Sequence, residues 1–242
     1  MTEKAAEALH YDVSGSGPVL LVLPGGAGHP MGLGPLTERL AAHFTVVTYD
    51  PLGLAHGRLG LPVPGQRVAD WSEGAHRVLE EVLPAGESAY VFGTSSGGIT
   101  ALDLLARHPG RPAHVVAHEP PCVTVLSDGQ ERRAELIGQL DGPGRPAAEG
   151  AEATPFGVFL ARVLRPFTSY LPSFTAPQGT LTLAAGADSR GGPLYRTSVS
   201  LAQRLGGAFA EFPGGHLGTL DHPEAFADLL TDTFRSSART SG

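Results

Sequence analysis

Short apolar runs alternate along the chain with longer stretches in which apolar residues recur every three or four positions. Uninterrupted runs of β-branched and aliphatic residues are typical of strands buried on both faces of a parallel sheet, and the longer stretches are typical of helices that cover such a sheet. The pattern predicts an α/β fold, with a mostly parallel central sheet and helices on both faces. The predicted strands are residues 19–23, 45–49, 89–92, 114–117, 180–184 and 208–212.

Each predicted helix between these strands carries one apolar stripe. In the stretch 67–83, for example, Val68, Trp71 and Ala75 begin a series spaced by three and four residues. Such a series places its side chains on one face, which we expect to pack against the sheet. The predicted helices are residues 36–43, 67–83, 97–108, 194–205 and 223–235.

Residues 123–175 interrupt the alternation, because they separate two predicted strands by far more than the usual short connection. We predict a helical insertion that contains a polar helix around 130–140, a Gly/Pro/Ala/Glu-rich loop at 141–154 and a second, apolar helical stretch. We interpret the insertion as a small helical lid, with some of its apolar side chains packed as ordinary core.

The chain length and composition indicate a single globular domain. Of 242 residues, 41% are hydrophobic and 17% are charged, which is enough apolar material for one sizeable core. We therefore predict one domain over residues 1–242, with residues 236–242 as a frayed tail.

The charge balance and the cysteine content exclude several classes of function. A net charge of -7 disfavours nucleic acid as a partner. Cys122 is the single cysteine, so the chain can form neither an internal disulfide nor a cysteine-based metal cluster. The sequence has no basic and apolar leader and no run of roughly 18 apolar residues, so we expect a cytoplasmic protein without membrane contact.

Residues 93–97, Gly-Thr-Ser-Ser-Gly, fit the pattern G-x-S-x-G. The pattern follows a predicted strand and leads directly into a predicted helix, which is the context of a sharp turn that exposes a nucleophilic serine. Ser95 is the candidate nucleophile, and its position near a helix N-terminus favours developing negative charge. The alternative is a Gly/Ser turn that only caps the helix.

An alcohol needs a base and an orienting acid to act as a nucleophile at neutral pH. His216 lies on a glycine-rich loop after the last predicted strand and is the candidate base. Asp188 follows the preceding strand and is the candidate acid, with Glu119, at the end of the strand 114–117, as its rival. Removing each carboxylate in turn would distinguish the two.

The predicted strand 19–23 opens into a glycine run, residues 25–28, that offers backbone N–H groups without side-chain obstruction. We assign the amides of Gly26 and Ser96 to an oxyanion hole. The run lacks the glycine and lysine spacing of a phosphate-binding loop, so nucleotide binding is disfavoured.

With these residues together, the chain resembles the α/β-hydrolase superfamily over nearly its whole length. The serine elbow, the glycine run, the insertion, the acid and the base follow one another in the order typical of that family. Residues 49–53, Tyr-Asp-Pro-Leu-Gly, are also similar to a family segment, although Leu52 stands where many members carry arginine. Pro24 likewise stands where a histidine commonly precedes the glycine.

The resemblance implies a serine hydrolase that needs no cofactor or metal. The expected reaction is hydrolysis of an ester, a thioester or a lactone of a small, fairly apolar acyl substrate through an acyl-Ser95 intermediate. The small-molecule substrate is the partner that we expect, and we place His29 and Glu119 beside it. The resemblance also implies that the lid residues Phe156, Phe159 and Phe167 line an apolar acyl pocket.

Three alternatives stay open at this point. The same fold could serve a lyase or cyclase that uses His216 as a base, and such an enzyme would form no acyl-Ser95. A small-molecule receptor without turnover is a second alternative. A metal hydrolase is the third, because several histidines follow predicted strands, although their spacing matches no short ligand motif. These histidines are His29, His56, His118 and His216.

Overall fold

The computed structural model describes residues 8–141 and 151–240, and a seven-stranded sheet forms its centre. The strands are β1 (Tyr11–Gly15), β2 (Val19–Leu23), β3 (Thr45–Tyr49), β4 (Ala89–Thr94), β5 (Pro112–His118), β6 (Leu181–Gly186) and β7 (Ala208–Phe212). Their order across the sheet is β1-β3-β2-β4-β5-β6-β7. The pair β1–β3 is antiparallel, and every other pair is parallel. The predicted α/β class and mostly parallel sheet are confirmed.

Strand β1 was not predicted from the sequence. It lies at the edge of the sheet, and four of its five residues are exposed. Its residues therefore have no need of the apolar run that marks the inner strands, and they include Asp12 and Ser14. A polar edge strand is one way in which sheets avoid pairing with other chains.

Helices cover both faces of the sheet, as predicted. They are α1 (Gly34–Ala41), α2 (Val68–Val82), α3 (Ser96–Arg107), α4 (Gly129–Asp141), α5 (Pro155–Val158), α6 (Leu164–Thr168), α7 (Pro193–Leu205), α8 (Gly218–Asp221) and α9 (Pro223–Thr240). Because neighbouring residues of a strand point to opposite faces, both faces of the inner strands are buried. On β2, Leu20 packs in a cluster with α1 and α9, while Leu21 packs with α2, α3 and α7.

The described residues of the connection between β5 and β6 are partly helical. The helical segments include α4, α5, a π-helical turn at Phe159–Val163 and α6, whereas residues 170–177 have no regular secondary structure. Val158 in this segment packs with Ala27, beside the glycine run after β2, and with Leu54. The loop predicted at 141–154 lies largely outside the described residues. The segment therefore contacts the part of the sheet edge where the candidate oxyanion hole was expected.

The C-terminal segment differs from its prediction. Helix α9 continues to Thr240, so residues 236–240 are helical where a frayed tail was expected, and residues 241–242 lie outside the described chain. Phe226, Leu230 and Phe234 are fully buried in the cluster on one face of the sheet, and they hold the helix along its length. In the described ranges, no helix is both long enough and apolar enough to cross a membrane.

Candidate active site

Ser95 lies in a sharp turn between β4, which ends at Thr94, and α3, which begins at Ser96. Its backbone has φ 53° and ψ -122°, a combination that L-residues rarely adopt and that stores strain. The Ser95 amide donates to the carbonyl of His118 at the end of β5, at 2.9 Å. The side chain is half-buried at the carboxyl edge of the sheet. This is the elbow geometry that the sequence predicted.

Two glycines make this turn sterically feasible. A Cβ on Gly93 would overlap the carbonyl oxygen of Gly97, and a Cβ on Gly97 would overlap the carbonyl oxygen of Leu23. Both conflicts involve backbone atoms, which cannot rotate away. The first and last positions of the motif therefore require glycine because β4, α3 and the end of β2 meet there.

The glycine run after β2 lies directly beside Ser95. A Cβ on Gly25 would be 3.1 Å from Cβ of Ser95, and the Ser96 hydroxyl donates to the carbonyl of Gly26 at 2.7 Å. Ser96 is the first residue of α3, so its amide is one of those that have no acceptor within the helix. The structure thus brings the two residues chosen for the oxyanion hole together at the nucleophile.

His216 reaches the site from the loop that follows β7. Its side chain is 36% exposed, and its Nδ1 lies 2.9 Å from Oε2 of Glu119. Because an ionised carboxylate can only accept, Nδ1 carries the proton and Nε2 is left to take up a proton. His216 therefore has the tautomer and the partner that a general base needs.

Glu119 is held rigidly in the interior. It is 0% exposed and has φ 42°, and its Oε1 accepts the amide of Gly186 at 3.0 Å. Burial by itself raises the pKa of Glu119, but hydrogen bonds from His216 and Ser189 outweigh burial and hold the pKa below its usual value. The carboxylate therefore remains ionised beside the imidazole at neutral pH.

Asp188, the first choice for the acid, does not contact the imidazole. Its side chain is exposed, and its backbone amide donates to the carbonyl of Gly214 at 2.9 Å. Glu119 occupies the position opposite His216 because its amide bonds the carbonyl of Ala184 on β6, which brings the end of β5 alongside β6. The expected Asp188–His216 contact is thus corrected to Glu119–His216.

Glu119 was also expected beside the substrate, and its full burial against His216 corrects that placement. Phe167 is corrected too, because it is 1% exposed and packs edge-on against Trp71 in the core, with ring centroids 4.6 Å apart. Phe156 is exposed and Phe159 is half-buried, with their rings 6.0 Å apart. These two aromatic residues and His29 remain candidates for substrate contact.

His29 follows the glycine run and is half-buried. In the described part of the chain its Nδ1 is buried without a hydrogen-bond partner. It therefore retains an unused polar atom near the candidate oxyanion hole.

The histidines considered as a metal set do not share a site in the described chain. His56 is bonded to Asp50 at 2.9 Å, and His118 lies beneath the sheet edge, 3.2 Å from the hydroxyl of Thr94. Burial lowers the pKa of His118 to about 4, so this imidazole is neutral. Over residues 8–141 and 151–240, no group of three or more His, Cys, Asp or Glu side chains is arranged to hold a metal ion.

The chain is similar in sequence to known hydrolases. The model of the alpha/beta hydrolase family matches residues 19–229. The chain is 30% identical over 249 residues to the uncharacterized hydrolase YraK of Bacillus subtilis (strain 168), covering 93% of this chain and 91% of that protein. It is 24% identical to the zearalenone hydrolase of Cladophialophora bantiana, covering 93% of this chain and 92% of that protein.

A solved structure is also similar. An alpha/beta hydrolase from Sphaerobacter thermophilus DSM 20745 superposes with a TM-score of 0.63 at 23% identity, covering 93% of this chain and 96% of that chain. At this level of identity the likeness concerns the fold.

Proposed function

Starting from the fact that the chain belongs to the alpha/beta hydrolase family, we propose that it hydrolyses carboxylic esters, thioesters or lactones through an acyl-Ser95 intermediate. The observation that carries the proposal is the contact between buried Glu119 and half-buried His216 at the same sheet edge as the strained Ser95 turn. A serine, a histidine and a carboxylate are the groups that acyl transfer to an alcohol requires.

In the first half of the reaction, Oγ of Ser95 attacks the carbonyl carbon of the substrate while Nε2 of His216 takes the hydroxyl proton. The carbonyl oxygen becomes an oxyanion that accepts from the amides of Gly26 and Ser96. Glu119 stabilises the imidazolium that has formed. When the carbonyl re-forms, the bond to the leaving group breaks, and His216 returns the proton to the departing oxygen or sulfur.

In the second half, a water molecule takes the place of the leaving group. His216 removes one proton from the water, the resulting hydroxide attacks the acyl carbon, and the bond to Oγ of Ser95 breaks. The proton on His216 passes to Ser95, which restores the free enzyme and releases the acid. No redox step and no cofactor enters this sequence.

We propose a small, fairly apolar acyl group as the substrate portion held beside Ser95. The support is the aromatic character of the segment between β5 and β6, where Phe159 is half-buried against the cluster of Ala27 and Val158. In this proposal Phe156 and Phe159 form an apolar wall, and the segment acts as a lid. The relative named zearalenone hydrolase motivates including lactones among the substrates to test.

The test is intact-mass spectrometry after incubation with a fluorophosphonate, which reacts with activated serines. We expect one adduct on the native chain and none on Ser95→Ala. Ser127→Ala is the matched control, because Ser127 is an exposed serine 32 residues after Ser95 and has no role in the proposed reaction. This variant should label like the native protein. An adduct that persists in Ser95→Ala would contradict the assignment.

Turnover of the same proteins on paired esters, thioesters and lactones of equal acyl length would then assign the bond class. Native activity on one class, lost in Ser95→Ala, supports the proposal. Labelling of Ser95 without hydrolysis of any pair would contradict the reaction while leaving the nucleophile assigned.

A further inference from the structure

A cavity outside the candidate active site is lined by the chain before β1, the loop after β3 and the start of α2. Its volume is about 940 Å³, and none of the residues that line it is Ser95, Glu119, His216 or Gly26. A volume of this size is in the range of small-molecule sites. We refer to it below as the α2 cleft.

The α2 cleft collects basic side chains from the loop after β3 and from helix α2 with its N-cap residue. Arg58, Arg67 and Arg77 line it, with Asp70 and Glu73 as its carboxylates. Three arginines and two carboxylates leave one positive charge in excess among the formally charged residues of the lining. Sequence patterns did not predict this cluster, because its members meet only when the loop after β3 lies beside α2.

The pairing within the α2 cleft leaves two guanidinium groups available. Nε of Arg67 donates to Asp70 at 2.9 Å, and Glu73 lies 3.2 Å from Nε2 of His108. Within the described ranges, Arg58 and Arg77 make no side-chain hydrogen bond or ion pair. A guanidinium presents a planar fork of donors that fits a carboxylate in two-point contact.

The remaining wall of the α2 cleft is largely apolar. Leu52, Leu61 and Val63 line it together with Trp71, whose indole N–H donates to the side-chain oxygen of Gln66 at 2.9 Å. An apolar wall beside two unpaired arginines suits a ligand that has one anionic end and an apolar body. A polyanion would suit it less well, because Asp70 and Glu73 would repel additional negative charge.

We propose that the α2 cleft is a binding site for a small organic monoanion, in which Arg58 and Arg77 hold a carboxylate and the wall around Leu52 and Trp71 packs against the apolar body. This site is separate from the one that we propose for catalysis, and it does not depend on the proposed reaction. Its far wall lies close to the glycine run, since a Cβ on Gly28 would collide with Pro51 and lie 3.3 Å from Trp71.

The chain offers a built-in reporter for this site. Trp71 is the single tryptophan of the protein, and it lines the α2 cleft. Intrinsic tryptophan emission therefore reports on Trp71 and its immediate surroundings, which include this cavity. The probe is cyclohexanecarboxylate, which is a non-fluorescent monoanion with an apolar ring, and cyclohexanecarboxamide is its neutral match.

We expect cyclohexanecarboxylate to cause a saturable change in Trp71 emission at concentrations up to about 10 mM, the range in which a weak small-molecule site fills. Arg58→Gln and Arg77→Gln should each weaken the affinity, and together they should weaken it at least about tenfold. Arg204→Gln is the matched control, since Arg204 is exposed on α7 and lies outside the α2 cleft, and it should bind like the native chain. Unchanged emission of the variants without ligand shows that the fold around Trp71 is intact.

Five results would overturn the proposal. Four are the absence of a saturable change, an equal response to the neutral carboxamide, an equal response to inorganic phosphate, and an affinity that the double variant leaves unchanged. The fifth is the loss of binding when the catalytic site is blocked. The titration is repeated on protein whose Ser95 carries the phosphonate. Retained binding places the anion outside the catalytic site, and lost binding would place it there and contradict a second site.

Discussion

Ser95 and Glu119 are the two residues other than glycine that have a positive φ in the described chain, at 53° and 42°. Each follows directly on a parallel strand of the sheet, β4 for Ser95 and β5 for Glu119. Positive φ costs an L-residue of order 1–3 kcal/mol, so it persists where the surroundings over-determine the backbone. Here the Ser95 amide is bonded to His118 and the Glu119 amide to Ala184, which fixes both turns. The strain therefore coincides with the residues to which we assign the chemistry.

The carboxylate that supports His216 can be tested with two conservative variants. Glu119→Gln keeps the shape of the side chain but removes its charge, so the imidazolium loses its stabilising partner. We expect kcat/KM on a hydrolysed ester to fall about 10³- to 10⁴-fold. Asp188→Asn should stay within a fewfold of the native value, because the Asp188 side chain is exposed. A large loss in Asp188→Asn with little loss in Glu119→Gln would reverse the assignment.

The sequence could locate the candidate nucleophile, but it could not choose between the two candidate acids. Ser95 is marked by a motif whose glycines have a local steric reason. Asp188 and Glu119 both follow strands, and nothing local distinguishes them. Glu119 reaches His216 because its φ is positive and because β5 pairs with β6. Both features arise only when the sheet is assembled, so local sequence does not reveal them.

The strands and the helix around Ser95 are held together by contacts between backbone atoms. The turn between β4 and α3 packs against the end of β2, and on the other side it is bonded to the end of β5. Periodicity predicted these strands and helices well because each carries a long apolar series. It missed β1, which has no such series, and it ended α9 at residue 235, just after the buried apolar series ends at Phe234, whereas the helix continues to Thr240.

Gly97→Ala tests this packing. The new Cβ would overlap the carbonyl of Leu23, so the turn or β2 must shift. We expect a loss of about 2 to 4 kcal/mol in the free energy of unfolding, measured by urea denaturation.

The matched control is Gly138→Ala, where a Cβ within α4 meets no atom within 4 Å. Alanine in an open helical position is expected to stabilise by up to about 1 kcal/mol. A native-like stability of Gly97→Ala would show that the turn is less tightly packed than the described contacts imply.

On the scale of the whole molecule, the helices that cover the sheet bury one imidazole in its neutral form. His118 is 0% exposed, with its ring against Phe226 at 5.1 Å between centroids. Burial lowers its pKa from 6.5 to about 4. The unfolded chain therefore binds a proton at this residue between about pH 6.5 and pH 4 that the folded chain does not bind. Acid in that window favours the unfolded state, and stability rises with pH until about 6.5.

His118→Phe removes this titration while keeping an aromatic ring in the core. Between about pH 4 and 6.5, the slope of unfolding free energy against pH should be smaller than in the native chain by up to about 1.4 kcal/mol per pH unit. Over the full window the native chain should lose about 3 kcal/mol more than the variant.

Burial also lowers the pKa of His114 and of His76, but both residues are present in each protein, so their contributions cancel in the comparison. His43→Asn, at an exposed histidine, should keep the native slope. Equal slopes for His118→Phe and the native chain in urea titrations across this range would mean that His118 is protonated within the fold.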